Sequence, residues 1–227
     1  MNPIHRFSPV NGFSLVELML SLSLGLGLSG VMLQGLMAEG QNGARLSRLL
    51  RERAAQRRTL ELIKGDLAQS TAVSTTPTLE QHACSLAGRS PVLHLSTAAG
   101  SITYSVGAAP SAIWRAQVLM RCGPAYGLDG ALSSGSQSLN RVVMDGLVAT
   151  SQMWRGCGPL LEADQNAVVD LSNPSGLGFA ACLHGQTGVL GLRLEQAFTQ
   201  VAGRPTQTIT HSALVESLPL SGYVTGL

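Results

Sequence analysis

The chain has 227 residues, of which only 12% are charged and 4% aromatic, with fifteen basic against thirteen acidic side chains. That length supports one domain with its own core and is short for two, and a formal net charge of +2 with a single lysine argues against a chain built on broad charged tracts. Four cysteines show no C-x-x-C spacing, and no G-x-S-x-G, H-E-x-x-H, phosphate-cradling G-x-x-x-x-G-K-[ST] or calcium-loop pattern occurs, so zinc, hydrolase and nucleotide-binding classes lack their signatures.

Residues 1–12 carry His5 and Arg6 and no acid. They are followed by Phe13-Ser14-Leu15-Val16-Glu17 and then by 21 residues, Leu18 to Ala38, without a charge. A run of that length and composition suits a bilayer span. The one ionised side chain sits at its start, where an unpaired carboxylate costs up to about 3 kcal/mol on insertion scales. A secretory signal would use Ala38-Glu39-Gly40 as its cleavage site, but its apolar core would be too long. A plain signal anchor accounts for the length and leaves Gly12-Phe13 and Glu17 unexplained. Charge bias points the other way: six arginines, Arg45 to Arg58, follow the span and only Arg6 precedes it. They begin several residues beyond the span and belong to a long domain whose cysteines suit an oxidising compartment, so the amino-terminal side is placed in the cytoplasm.

The glycine, the aromatic residue after it and the glutamate four residues further on resemble the class III signal of type IV prepilins and pseudopilins. The resemblance implies an α+β, type IV pilin-like fold, with a long N-terminal helix packed on an antiparallel sheet. It implies cleavage between Gly12 and Phe13 by a prepilin peptidase, N-methylation of Phe13, and loss of residues 1–12 as a leader. Residues 13–38 then form the transmembrane half of the helix, 39–70 its amphipathic half, and 71–227 a β-rich head. It also gives Glu17 a role in subunit assembly, pairing with the methylated amino terminus of a neighbour. An α-amino group with an ordinary pKa of about 7.7 to 8 is largely cationic near neutrality, and in a low dielectric a paired charge is tolerated where an unpaired one is not. Glu17 also complements the positive end of its own helix, worth roughly 0.3 to 1 kcal/mol.

After the span, Leu46, Leu49, Leu50, Ala54, Leu60, Ile63 and Leu67 recur at helical spacing with charged residues between them, which predicts one helix from about Phe13 to about Gln69. Ser74 to Thr78, with Pro77, supplies the stop. Pilins usually interrupt this helix with a proline, and the corresponding residue here is Gln34. Six glycines between Gly25 and Gly43 instead weaken the helix by about 1 kcal/mol each. Ser21, Gly25 and Ser29 form a small-residue row suited to close helix packing.

Beyond Pro77 the pattern turns to strands. Val92 to Thr97 and Ser101 to Val106 read as a hairpin across Ala98-Ala99-Gly100, with Ala112 to Met120 continuing the meander. Leu139 to Thr150 and Gln152 to Arg155 form a second apolar group. Gly188 to Phe198 and Gln207 to Val215 read as late strands joined across Gly203-Arg204-Pro205, and 123–138 and 172–178 read as loops. This succession of strands looks like PilW-type minor pilins and the related J-type pseudopilins of type II secretion. It implies a scarce subunit that helps initiate a type IV pilus or sits near its tip. A secretion pseudopilin and a tip pilin binding DNA or another ligand remain the alternatives.

Four cysteines in an exported head favour two disulfides among Cys84, Cys122, Cys157 and Cys182. Three pairings are open, and the sequential one, Cys84 with Cys122 and Cys157 with Cys182, is favoured because it closes modest loops around adjacent strands. Separated histidines (His82, His94, His184, His211) suggest no metal site, with His82, two residues before Cys84, the least ordinary of them. Trp114 and Trp154 read as core residues of strands. No cofactor, metal or enzymatic activity is expected. From Thr71 onward seven arginines face eight acids, so a nucleic-acid partner is disfavoured, and the arginines at 45–58 suit solvent or lipid headgroups. The expected partners are the prepilin peptidase, major and minor pilins, the inner-membrane assembly platform and membrane lipid. The expected location is the bacterial inner membrane, single pass with the head outside the cytoplasm, and then the fibre.

Overall fold

A computed structural model describes residues 14–149, 157–161, 167–172, 177–198 and 206–216. Gly12, Phe13, Trp154 and the Gly203-Arg204-Pro205 connection lie outside the described residues. The chain is α+β: among the described residues one α-helix, α1 (Leu15–Ala68), is followed by nine strands that form an antiparallel sheet. It divides into two compact units, one ending at Arg48 and one beginning at Leu49.

In the first unit α1 begins where the Glu17 and Leu18 amides bond the Ser14 carbonyl at 3.0 and 3.1 Å. Its apolar side chains are exposed on all sides, and it is long and apolar enough to cross a membrane. Ser21 and Ser23 donate their hydroxyls to the carbonyls of Leu18 and Leu20, at 2.9 Å each, which hides two polar groups inside the apolar run. The helix continues unbroken through Gly25 to Gly43, and a methyl group added at any of these six glycines would touch nothing. No contact within the unit therefore requires glycine there.

In the second unit, α1 from Leu49 onward buries Gln56, Thr59, Leu60, Ile63, Asp66 and Leu67, one face of a 3.6-residue repeat. The helix closes with the Gln69 amide on Asp66 and the Ser70 hydroxyl on Leu67, and leads directly into a strand. The strands are β1 (Ser70–Val73), β2 (Ser90–Thr97), β3 (Gly100–Ala108), β4 (Gln117–Gly123), β5 (Leu139–Leu147), β6 (Val168–Asp170), β7 (Phe179–His184), β8 (Val189–Phe198) and β9 (Gln207–Glu216). They run in spatial order β1-β2-β3-β4-β5-β8-β7-β6, with β9 on the other side of β8. Gln196 of β8 has Leu147 as neighbour on one side and Ile209 on the other, so β9 is an outer edge. The sheet curls until β2 meets β7, and Ile63, Leu67, Tyr104, Leu119, Phe179 and Leu192 share one core inside the curl.

The β2–β3 hairpin and the β8–β9 pair lie where periodicity predicts them. Strand β4 starts at Gln117, not Ala112. Residues 111–114 form a turn, Ala116 has φ of 50°, and the Arg115 amide is taken by Asp145, so no ladder can start earlier. Trp114 is consequently 36% exposed instead of being a core residue. Strands β1, β6 and β7 were not foreseen. Phe179–His184 is buried on both faces and so lacks the alternation that marks a half-exposed strand. Between β5 and β7, Gly178 passes so close to the backbones of Val148 and Glu195 that an added methyl would lie 2.7 Å from each.

Candidate functional site

Two groups of residues could carry function, one in each unit. In the first, Glu17 lies in the opening turn of α1, exposed, the only acid of that turn. Among the described residues it has no ion-pair partner, and Gly12 and Phe13 lie outside them. An acid so placed complements the helix's positive end. It also presents a carboxylate to anything that packs against the apolar helix.

In the second unit, Asp66 of α1 is fully buried and receives four hydrogen bonds from the sheet side. Arg121 of β4 donates through Nε at 2.7 Å and Nη2 at 2.8 Å, Tyr104 of β3 donates its hydroxyl to Oδ2, and Tyr126 donates its hydroxyl to Oδ1. Arg121 also donates Nη1 to the Pro124 carbonyl at 2.9 Å, and lies over the Tyr126 ring at 5.3 Å. Burial works against the charge on Arg121, and the bonds and charge of Asp66 outweigh it, raising its pKa. Tyr104 and Tyr126 are held protonated, first by burial and then by the anion they bond. The result is a satisfied ion pair that fixes this part of the helix to the sheet.

A second polar clamp lies nearer Leu49. Arg115 reaches Glu52 of α1 through Nη1 at 3.0 Å and Asp145 of β5 through Nη2 at 2.9 Å, while Gln196 donates to Glu52 Oε2 at 2.8 Å. Burial alone would raise the Asp145 pKa, but hydrogen bonds from Arg115 outweigh it and lower it.

Cys84 is joined to Cys122, and Cys157 to Cys182. The first bond ties the segment after β1 to β4, and the second packs beside Ala180 and Leu161. His82 and His94 share the Thr103 hydroxyl at 3.3 and 2.8 Å, with Glu80 4.0 Å from His94 and receiving the Ser74 hydroxyl at 2.6 Å. Among the described residues no three His, Cys, Asp or Glu side chains come together as a metal-binding group.

No protein-family model, curated protein or solved structure matches the chain. The geometry therefore has to carry the reading by itself. Sequence reasoning singled out Glu17 and the cysteines and missed Asp66, Arg121, Tyr104 and Tyr126. Asp66 carried one available signal: it is the only acid among the apolar positions 60, 63 and 67 that form the helix's buried face. An acid there requires a cation across the interface.

Proposed function

We propose that the chain is a minor pilin, a structural subunit that helps initiate a type IV pilus or sits near its tip. The observation that carries this reading is Glu17, a lone carboxylate at the start of an exposed helical run, Leu18 to Ala38, that carries no charge and is long enough for a bilayer. A carboxylate in that position is costly unless a cation from another chain meets it, and the amino terminus of a neighbouring subunit, freed by cleavage after Gly12, supplies one. The packing of residues 56–67 against the sheet supports the reading, since a head fastened to its own helix is carried wherever the helix assembles. In this account a prepilin peptidase cleaves and methylates at Phe13, the assembly platform extracts the subunit from the inner membrane, and the head stays outside the cytoplasm.

Processing and assembly are separately testable. The intact mass of membrane-extracted protein should lack twelve residues and gain one methyl group. Glu17→Val should leave processing and insertion intact and abolish cross-linking into the fibre. A chain beginning near Glu39, or equal incorporation of mutant and wild type, would refute the assignment.

A further inference from the structure

Beside the buried Asp66–Arg121 pair, α1 and the β4–β5 ladder enclose a cleft of about 370 Å³. Its walls are Ala55, Thr59 and Leu62 on the helix and Val142 and Val143 on β5, with Arg58, Arg121, Tyr126 and Arg141 supplying the polar groups. The charges do not balance. Arg121 and Arg141 stand directly opposite each other in the ladder, an arrangement that like charges disfavour. Arg58 comes from the helix, where, among the described residues, its Nε donates to the Ala54 carbonyl at 3.3 Å. Of the nearby acids, Asp66 is occupied by Arg121 and two tyrosines, and Glu61 pairs with Lys64 at 3.0 Å. Among the described residues neither Arg58 nor Arg141 has a carboxylate partner. Three guanidinium groups thus face one cleft with a single buried carboxylate to offset them.

We infer that this cleft receives an acidic side chain, a glutamate or aspartate flanked by apolar residues, from a second protein. Arg58 and Arg141 grip the carboxylate from the helix and sheet sides, and the apolar walls cover its stem. Arg121 has Nε, Nη1 and Nη2 engaged by Asp66 and Pro124, so it supplies positive potential rather than the principal donors. The predominantly apolar lining favours a carboxylate on a hydrocarbon stem over free phosphate, whose remaining oxygens would lose water without gaining donors. The volume lies at the low end of the ligand-site range, room for a side chain and not for a folded segment. With the fibre reading proposed above, the second protein is a neighbouring subunit.

The test uses the detergent-solubilised full chain with arginine side chains labelled for NMR. The probes are the capped peptides Leu-Glu-Leu and Leu-Gln-Leu, octanoate and inorganic phosphate. Leu-Glu-Leu should shift the Arg58 and Arg141 signals and bind at least about tenfold more tightly than Leu-Gln-Leu, as charge-assisted bonds to one carboxylate require. Arg58→Gln/Arg141→Gln should remove that preference. Arg53→Gln/Arg57→Gln, on a separate cleft beside Thr208–His211, should keep it. Equal binding by the first double variant, tighter binding of octanoate or phosphate, or no binding by wild type would each overturn the proposal. Because both arginines are exposed, the variants should retain the wild-type near-ultraviolet dichroism, and each single variant repeats the comparison. Glu17→Val should bind Leu-Glu-Leu like wild type, so failure of the cleft and failure of the fibre reading are distinguishable.

Discussion

Breaking the Asp66–Arg121 pair should reveal how the head holds its own helix. Asp66→Ala leaves the Arg121 guanidinium, 6% exposed, with only the Pro124 carbonyl as acceptor, and leaves the fully buried Tyr104 hydroxyl without one. Removing one partner of a buried ion pair costs about 3–5 kcal/mol, and Arg121→Met should cost a similar amount for the converse reason. Tyr104→Phe removes one bond to a charged acceptor that retains three donors, and should cost less, about 1.5–3 kcal/mol. The diagnostic variant is Asp66→Ala/Arg121→Met, which removes both charges together. Its cost should fall short of the two single changes together by at least about 2 kcal/mol, because neither half leaves an orphan charge. Urea unfolding of the detergent-solubilised chain with its disulfides intact, followed by near-ultraviolet dichroism, measures all four. Single changes costing under about 1 kcal/mol, or an additive double change, would show that apolar packing of Leu60, Ile63 and Leu67 holds the helix without the ion pair.

His94 is buried and its pKa is lowered, chiefly by desolvation and further by His82, against the opposing pull of Glu80. The unfolded chain therefore binds the proton more readily, so stability should fall as pH drops through about 6.5; comparing urea midpoints at pH 7 and pH 5, the fall should be smaller in His94→Gln. Gly178→Ala would bring a methyl within 2.7 Å of two backbone segments and should cost about 1–3 kcal/mol in the same assay. Replacing the cysteines pairwise by serine should cost about 3.9 kcal/mol for Cys84–Cys122 and about 3.5 kcal/mol for Cys157–Cys182, from the chain entropy of loops spanning 38 and 25 residues. Non-reducing peptide mapping of the purified chain should recover both bonds.

The helix and the hairpins were legible because their patterns are local. Leu46 to Leu67 recur at helical spacing, and the strands flanking Gly100 alternate or are rich in β-branched residues. Two kinds of feature were hidden. Strand β7, with Ala180, Ala181 and Cys182 buried along both faces, has no period to detect. The Asp66 cluster joins residues 38 to 60 positions apart, and no local pattern reports which arginine crosses to which acid. Trp114 failed differently: tryptophan following Ala112 and Ile113 resembles a strand, while the Arg115–Asp145 clamp holds that stretch in a turn. Glu17 was conspicuous because an acid beside an uncharged run stands out without any structure.

The sheet's strand order also bears on how the head folds. Strands β1 to β5 pair consecutively, β6 to β9 do likewise, and among the described residues one ladder pair, Leu147 with Gln196, joins the two halves of the sheet beside Gly178. Each half is a meander of near-neighbour contacts, which form fast because little loop entropy is lost before a contact is gained. Each half also contains one complete disulfide, since Cys84 and Cys122 precede the seam and Cys157 and Cys182 follow it. In a chain synthesised amino end first, both cysteines of the first pair are therefore made before either cysteine of the second.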